Sequence, residues 1–144
     1  MYQIQPVRSR ELQSELAAKL GTEFVPGTYA MFAGELADDY ATVTELIAMC
    51  QFTFGEKEAE IKSVGIAEGH EEDEAVTVLI RAMMSLVNNA EIPVVSITGA
   101  VLSPDRIKKL GFRQTNGQTD KWAIDLEEFY KAPCAYTEGQ KQEE

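Results

Sequence analysis

The chain is short of cysteine, histidine and positive charge. Its two cysteines, Cys50 and Cys134, stand in unrelated contexts with no CxxC and no Cys/His spacing. That argues against a disulfide framework and against a zinc site, and leaves two reduced thiols. Lysine and arginine together number 13 against 24 aspartates and glutamates, a net charge of -11. Nucleic acid and anionic lipid are bound through cations that neutralise phosphate, so neither is expected as a direct partner. No apolar run approaches the length that crosses a bilayer, and the first residues, MYQIQPVRSRELQ, carry no apolar core of a leader. The expected location is the cytoplasm.

What is present fits one globular domain. With 144 residues, 44% of them apolar and 26% charged, the chain can bury a core with both faces of a sheet covered. We assign that domain to residues 1–131 and a polar tail, ending EGQKQEE, to residues 132–144.

Tyr2 to Val7 alternates apolar and polar around Pro6, as an edge strand does. Ser9 can cap a helix over residues 9–20 whose Leu12, Leu16, Ala17 and Leu20 share a face, with Gly21 ending it. Thr28 to Glu35 predicts a strand after the Pro26-Gly27 turn, with a further turn at Ala37-Asp38-Asp39. Tyr40 to Phe54 fits both periods: its β-branched and aromatic content favours a strand, yet Tyr40, Val43, Ile47 and Cys50 also mark a helical face. The strand reading is taken for Leu46 to Phe54. A turn at Gly55 to Glu58 leads into a strand over Glu60 to Ala67.

Ala75 to Asn89 is apolar on nearly every side and predicts a helix buried against a sheet. Pro93 precedes the unbroken apolar strand Val94 to Thr98, which suits a central position. Strand, helix and strand make a βαβ unit. Ser103 and Pro104 then open a short helix that stops at Gly111. A last hairpin follows, Phe112 to Thr115 and Thr119 to Leu126, with an Asn116-Gly117 turn and with Trp122 and Ile124 facing inward. Met83, Met84, Phe32, Phe52 and Phe54 follow the same periods and are assigned to the core.

Over roughly residues 2–128 this order of elements resembles the GNAT superfamily of N-acetyltransferases. The most specific stretch is SPDRIKKLGF, Ser103 to Phe112, which is similar to the family's short helix ending in YEKLGF; EIKSVGIA, Glu60 to Ala67, is similar to its fourth strand. The resemblance implies an α/β (α+β) fold of the acyl-CoA N-acyltransferase type, a single domain with a mixed, mostly antiparallel sheet and helices on both faces. It further implies that the fourth and fifth strands splay and that acetyl-CoA lies between them. The backbone of Val64, Gly65, Ile66 and Ala67 would then take the pantetheine, and that of Ala75 and Val76 the phosphates. Gly65 is compatible with the bulge such a splay requires.

The chain departs from the family pattern in three places. The pyrophosphate loop should carry glycines near Glu74 and Val76; here Glu71 to Glu74 reads EEDE, and a phosphate would meet like charge. Two like charges at about 4 Å repel by about 1 kcal/mol even at the dielectric of water. The tyrosine that many members use as general acid falls at Ile107, and the family's asparagine falls near Ala100. What remains is Glu60, which matches a glutamate that some members use as general base.

Each of these residues also has a plainer reading. Glu60 can be a solvated strand end. The acids at Glu71 to Glu74 stabilise a first helical turn by roughly 0.3 to 1 kcal/mol each without any ligand, although a polyamine or a basic protein could also dock there. Their spacing lacks the pattern of a calcium loop, and no metal is assigned. His70 lies in a loop among acids. Two functions stay open: an acyl-CoA-dependent N-acetyltransferase for a small amine or a protein amine, and a GNAT-like module without catalysis that binds a partner or forms a homodimer.

Overall fold

The computed structural model describes residues 2–38, 42–71, 74–114 and 120–131. Pro6, which cannot donate to a ladder, ends β1 (Gln3–Pro6) at the sheet edge, where β1 pairs only with β2 (Tyr29–Leu36). Between them Ser9 accepts from the Leu12 amide at 3.1 Å and starts α1 (Arg10–Lys19), and Gly21, at φ 70, ends its last turn. β3 (Val43–Phe52) and β4 (Glu58–Ile66) follow as a hairpin closed by the Gly55 amide on the Glu58 carbonyl at 3.0 Å. The crossover helix α2 (Glu74–Asn89) leads to β5 (Val94–Thr98), then α3 (Pro104–Lys109), β6 (Arg113–Gln114), β7 (Lys121–Asp125) and α4 (Leu126–Lys131). The seven strands stand in the order β1-β2-β3-β4-β5-β7-β6, and β4 with β5 is the parallel pair. The sheet is mixed and mostly antiparallel, as predicted.

Alternation in β2 and β3 divides the core. Ala30, Phe32 and Met49 pack with Leu16 and Ala17 of α1, whereas Met31, Ala33, Ala48 and Cys50 pack with Val76, Leu79, Ile80, Met83 and Val87 of α2 on the other face. Every residue from Ile47 to Phe52 is buried. That is why the sequence satisfied both periods there: a strand covered on both faces has no polar side to betray a two-residue alternation. Burying each large apolar side chain of α2 contributes roughly 1.5–3 kcal/mol. The enclosure of α2 is less complete than its composition predicts, since Leu86 points outward, 39% exposed.

α4 is absent from the sequence reading, which carried the last strand through Leu126. Six residues are too few to show a helical period. Its start is nonetheless written locally, because the Asp125 carboxylate accepts from the Glu128 amide at 3.1 Å as a helix cap does. The helix is fastened by Arg81 of α2, whose guanidinium lies 5.0 Å from the centre of the Phe129 ring and donates to the Leu110 carbonyl at 2.9 Å. The turns assigned to Asp39 and to Asn116-Gly117, and the tail 132–144, lie outside the described residues. Among those described, no helix is long and apolar enough to cross a membrane.

Gly65 is not the bulge. The irregularity in β4 falls at Lys62, between the pairs Gln51 with Ser63 and Phe52 with Ile61. Gly65 is needed for a different reason: a Cβ there would lie 3.0 Å from Cγ2 of Thr22 and 3.1 Å from Cβ of Leu20. Gly65→Ala should therefore lower stability by about 1 kcal/mol net of the entropy it removes from the unfolded chain, seen as a lower urea midpoint. An unchanged midpoint would show that the α1–β2 connection does not press on β4.

Candidate functional site

β4 and β5 pair from Glu58 with Val94 to Ile61 with Ile97, and there the ladder stops. β4 runs on from Lys62 to Ile66 with β3 on one side and, among the described residues, no strand on the other. The bulge at Lys62 sits where the two strands part, and the extra residue turns β4 away from β5. The Ala67 amide donates to the Ile47 carbonyl at 2.8 Å. By the alternation of an antiparallel ladder, Gly65 also turns its backbone groups toward β3, and Val64 and Ile66 turn theirs toward the open side. Of the four residues assigned to the pantetheine, these two present backbone to the cleft.

The cleft has a second wall. The connection from α1 to β2 is held on the sheet by a buried carboxamide, that of Gln51, which is 0% exposed. Gln51 Oε1 accepts from the Val25 amide at 2.9 Å and from Gln13 Nε2 at 2.8 Å, and Gln51 Nε2 donates to the Glu23 carbonyl at 2.9 Å. Gln13 Nε2 also donates to Thr28 Oγ1 at 2.9 Å, and that hydroxyl donates to the Val25 carbonyl at 2.7 Å. A buried polar group is costly unless partnered, and here two of the three partners are the loop's own backbone. Thr22 Oγ1 lies 3.1 Å from Ser63 Oγ, so the same loop also touches β4 beside the bulge. The resulting cavity of about 370 Å³ is lined by Thr22, Glu23, Lys62, Ser63, Val64 and Val101, among others. Sequence reasoning missed Gln51 and Gln13. The available signal was a lone amide inside an otherwise apolar strand.

Glu60 lies just before the bulge, half-buried, with Oε1 3.3 Å from Lys62 Nζ. It shares its register position with Ser96 of β5. Ser96 is buried and donates to Glu58 Oε2, which also lies 3.1 Å from Lys121 Nζ. The Ser96 hydrogen bond, helped by Lys121, holds the Glu58 carboxyl below its ordinary value of 4.5 against a burial effect of opposite sign. Ile107 is fully buried, so it forms core where the family places an acid. Burial pushes the Cys50 thiol up to about 12, which leaves it no nucleophilic role at neutral pH; Cys134 lies outside the described residues.

Ala75 and Val76 are buried in the first turn of α2. The acidic loop before them is described as far as Glu71 and again from Glu74. The Gly69 amide donates to Glu71 Oε1 at 3.1 Å, and His70 Nε2 lies 3.3 Å from Glu45 Oε2. Arg106 of α3 reaches across and donates through Nη1 to the Glu71 carbonyl. A second cavity, about 310 Å³, opens between α2 and α3 and is lined by Glu74, Thr77, Ser103, Asp105, Arg106 and Lys109. Two cations from α3 thus stand where the sequence shows only acids.

No family model matches the sequence, and no curated protein matches it either. Solved structures do. The fold is similar to that of an IAA acetyltransferase from Bacillus cereus, with 14% identity, a TM-score of 0.64, and 87% of this chain and 99% of that one covered. It is similar to a GNAT family acetyltransferase from Staphylococcus aureus, with 9% identity, a TM-score of 0.61, and coverage of 88% and 99%. A GNAT family acetyltransferase from Elizabethkingia anophelis with acetyl-CoA bound superposes with a TM-score of 0.59 at 14% identity over 86% and 97%. The chain has the GNAT acyl-CoA N-acyltransferase fold, and the predicted architecture is correct.

Two outcomes test this geometry. Gln51→Leu leaves the Val25 amide without its acceptor and Gln13 Nε2 with Thr28 Oγ1 alone, and should cost about 1–3 kcal/mol in urea unfolding; a neutral result would show that the network does not hold the loop. A carboxyl held low stabilises the fold above its ordinary range and loses that contribution as pH falls through its folded value. The stability lost by Ser96→Ala should therefore shrink between about pH 7 and about pH 3, and a constant difference would deny the Glu58 coupling.

Proposed function

We propose that the chain is an acyl-CoA-dependent N-acyltransferase whose acceptor is a small cationic amine or an amine of a basic protein. One observation carries this reading: β4 leaves β5 at Ile61, and its remaining backbone edge faces a cavity rather than a strand. An extended chain with amides can add to such an edge as a strand would. Val64 and Ile66 would hold the pantetheine through their backbone. The phosphates would meet Arg106 and Lys109 of α3 in place of a glycine-rich loop, two side-chain cations set against the carboxylates of Glu74 and Asp105 in the same cavity. The residues present therefore fit acetyl-CoA, by a route that differs from glycine amides at the start of α2.

When bound, acetyl-CoA supplies an acyl group activated as a thioester. The protein's own part is positional and electrostatic. The chain's net charge of -11, with Glu23 in the cavity wall and Glu60 beside Lys62, favours a cationic acceptor. Glu60 is the base that takes the amine's proton. With Ile107 in the core, the leaving thiol draws its proton from solvent.

A second reading, a module that binds or dimerises without catalysis, is favoured by that same Ile107. Calorimetric titration of the full chain with acetyl-CoA separates the two. Micromolar binding that weakens about tenfold or more in Arg106→Ala is expected. Absence of binding at low and at moderate salt overturns the transferase reading and leaves the binding module.

A further inference from the structure

Lys62 holds a position that neither its family resemblance nor the proposed mechanism uses. It is the bulged residue itself, it lines the cavity at the parting of β4 and β5, and its ammonium lies 3.3 Å from Glu60 Oε1. The side chain is 42% exposed, so its ion pair with Glu60 is of the weak, solvent-screened kind that opens readily. An acceptor amine would have to bring its nitrogen to this same carboxylate. The chain carries such an amine already, two residues along its own strand. Of the other described lysines, Lys19 pairs with Glu15 on α1 and Lys121 with Glu58 at the far end of β4, while Lys57 stands in the β3–β4 turn, Lys108 and Lys109 on α3, and Lys131 on α4.

We infer that Lys62 is an acyl acceptor of the chain's own cleft, modified on Nζ by bound acyl-CoA. The inference rests on the transferase reading above. The Lys62 ammonium gives one proton to Glu60. The freed nitrogen bonds to the thioester carbonyl carbon and releases its second proton to solvent; the carbon–sulfur bond breaks, and the thiolate leaves and takes up a proton as CoA. The product is a neutral amide on Lys62 and a free CoA thiol. Holding nucleophile and base on one strand converts a bimolecular encounter into a local one, which sets Lys62 apart from lysines that acyl-CoA acylates in free solution. The modified side chain no longer pairs with Glu60, which passes its proton to solvent and is then a free base for an external amine.

The test is to incubate the full chain with acetyl-CoA and no added amine, and to locate acetyl groups by mass spectrometry of the intact chain and of its peptides. A single acetyl increment on Lys62, exceeding that on any other lysine by about tenfold or more, is expected. It should vanish in Lys62→Arg, and form about a hundredfold more slowly in Glu60→Gln. The unmutated chain is titrated with acetyl-CoA in parallel. Binding without acetyl on Lys62, or with acetyl spread equally over the other lysines, overturns this inference and spares the transferase reading. No binding overturns both.

Discussion

A single buried carboxamide sets the geometry of the cleft. Gln51 lies in the most enclosed strand of the sheet, where an amide is tolerated only if every polar atom finds a partner. Its partners are the Val25 amide, the Glu23 carbonyl and Gln13, so the connection from α1 to β2 is drawn down onto β3. That placement brings Leu20 and Thr22 against β4 and leaves only a tight fit for a Cβ at position 65. Gln51 is also the last β3 residue in register before the bulge at Lys62. One wall of the cleft and the point at which its other wall turns away are thus fixed within one residue pair, Gln51 with Ser63.

Much of this was legible in the sequence. Wherever a signal is local and strong, as in Ser9 before α1, Ser103 with Pro104 before α3, or Gly21 and Gly111 after those helices, the structure agrees, because caps and left-handed residues depend on few neighbours. The misassignments have tertiary causes. Gly65 reads as a bulge from its type alone, whereas its role depends on a loop more than forty positions earlier in the chain. The bulged residue is a lysine, which carries no such signal. Gln51 and Gln13 meet only after β3 and α1 have packed, and no spacing rule links them. The acidic stretch before α2 conceals its cations for the same reason, since Arg106 and Lys109 arrive from α3.

The sheet also departs from evenness in how its halves are joined. β1 to β4 form a meander in which each strand pairs with its neighbour in sequence, and β5 to β7 are close in sequence as well. The two halves meet along the parallel stretch from Glu58 with Val94 to Ile61 with Ile97, reached only across α2. In folding, neighbouring pairings close short loops, while this seam must wait for a long one, and non-local parallel pairing is slow to form. Assembly of the molecule is therefore expected to end at the line where its cleft begins. A molecule seated along that line would touch both halves at once, act as a rivet across the youngest contact in the fold, and slow its reopening.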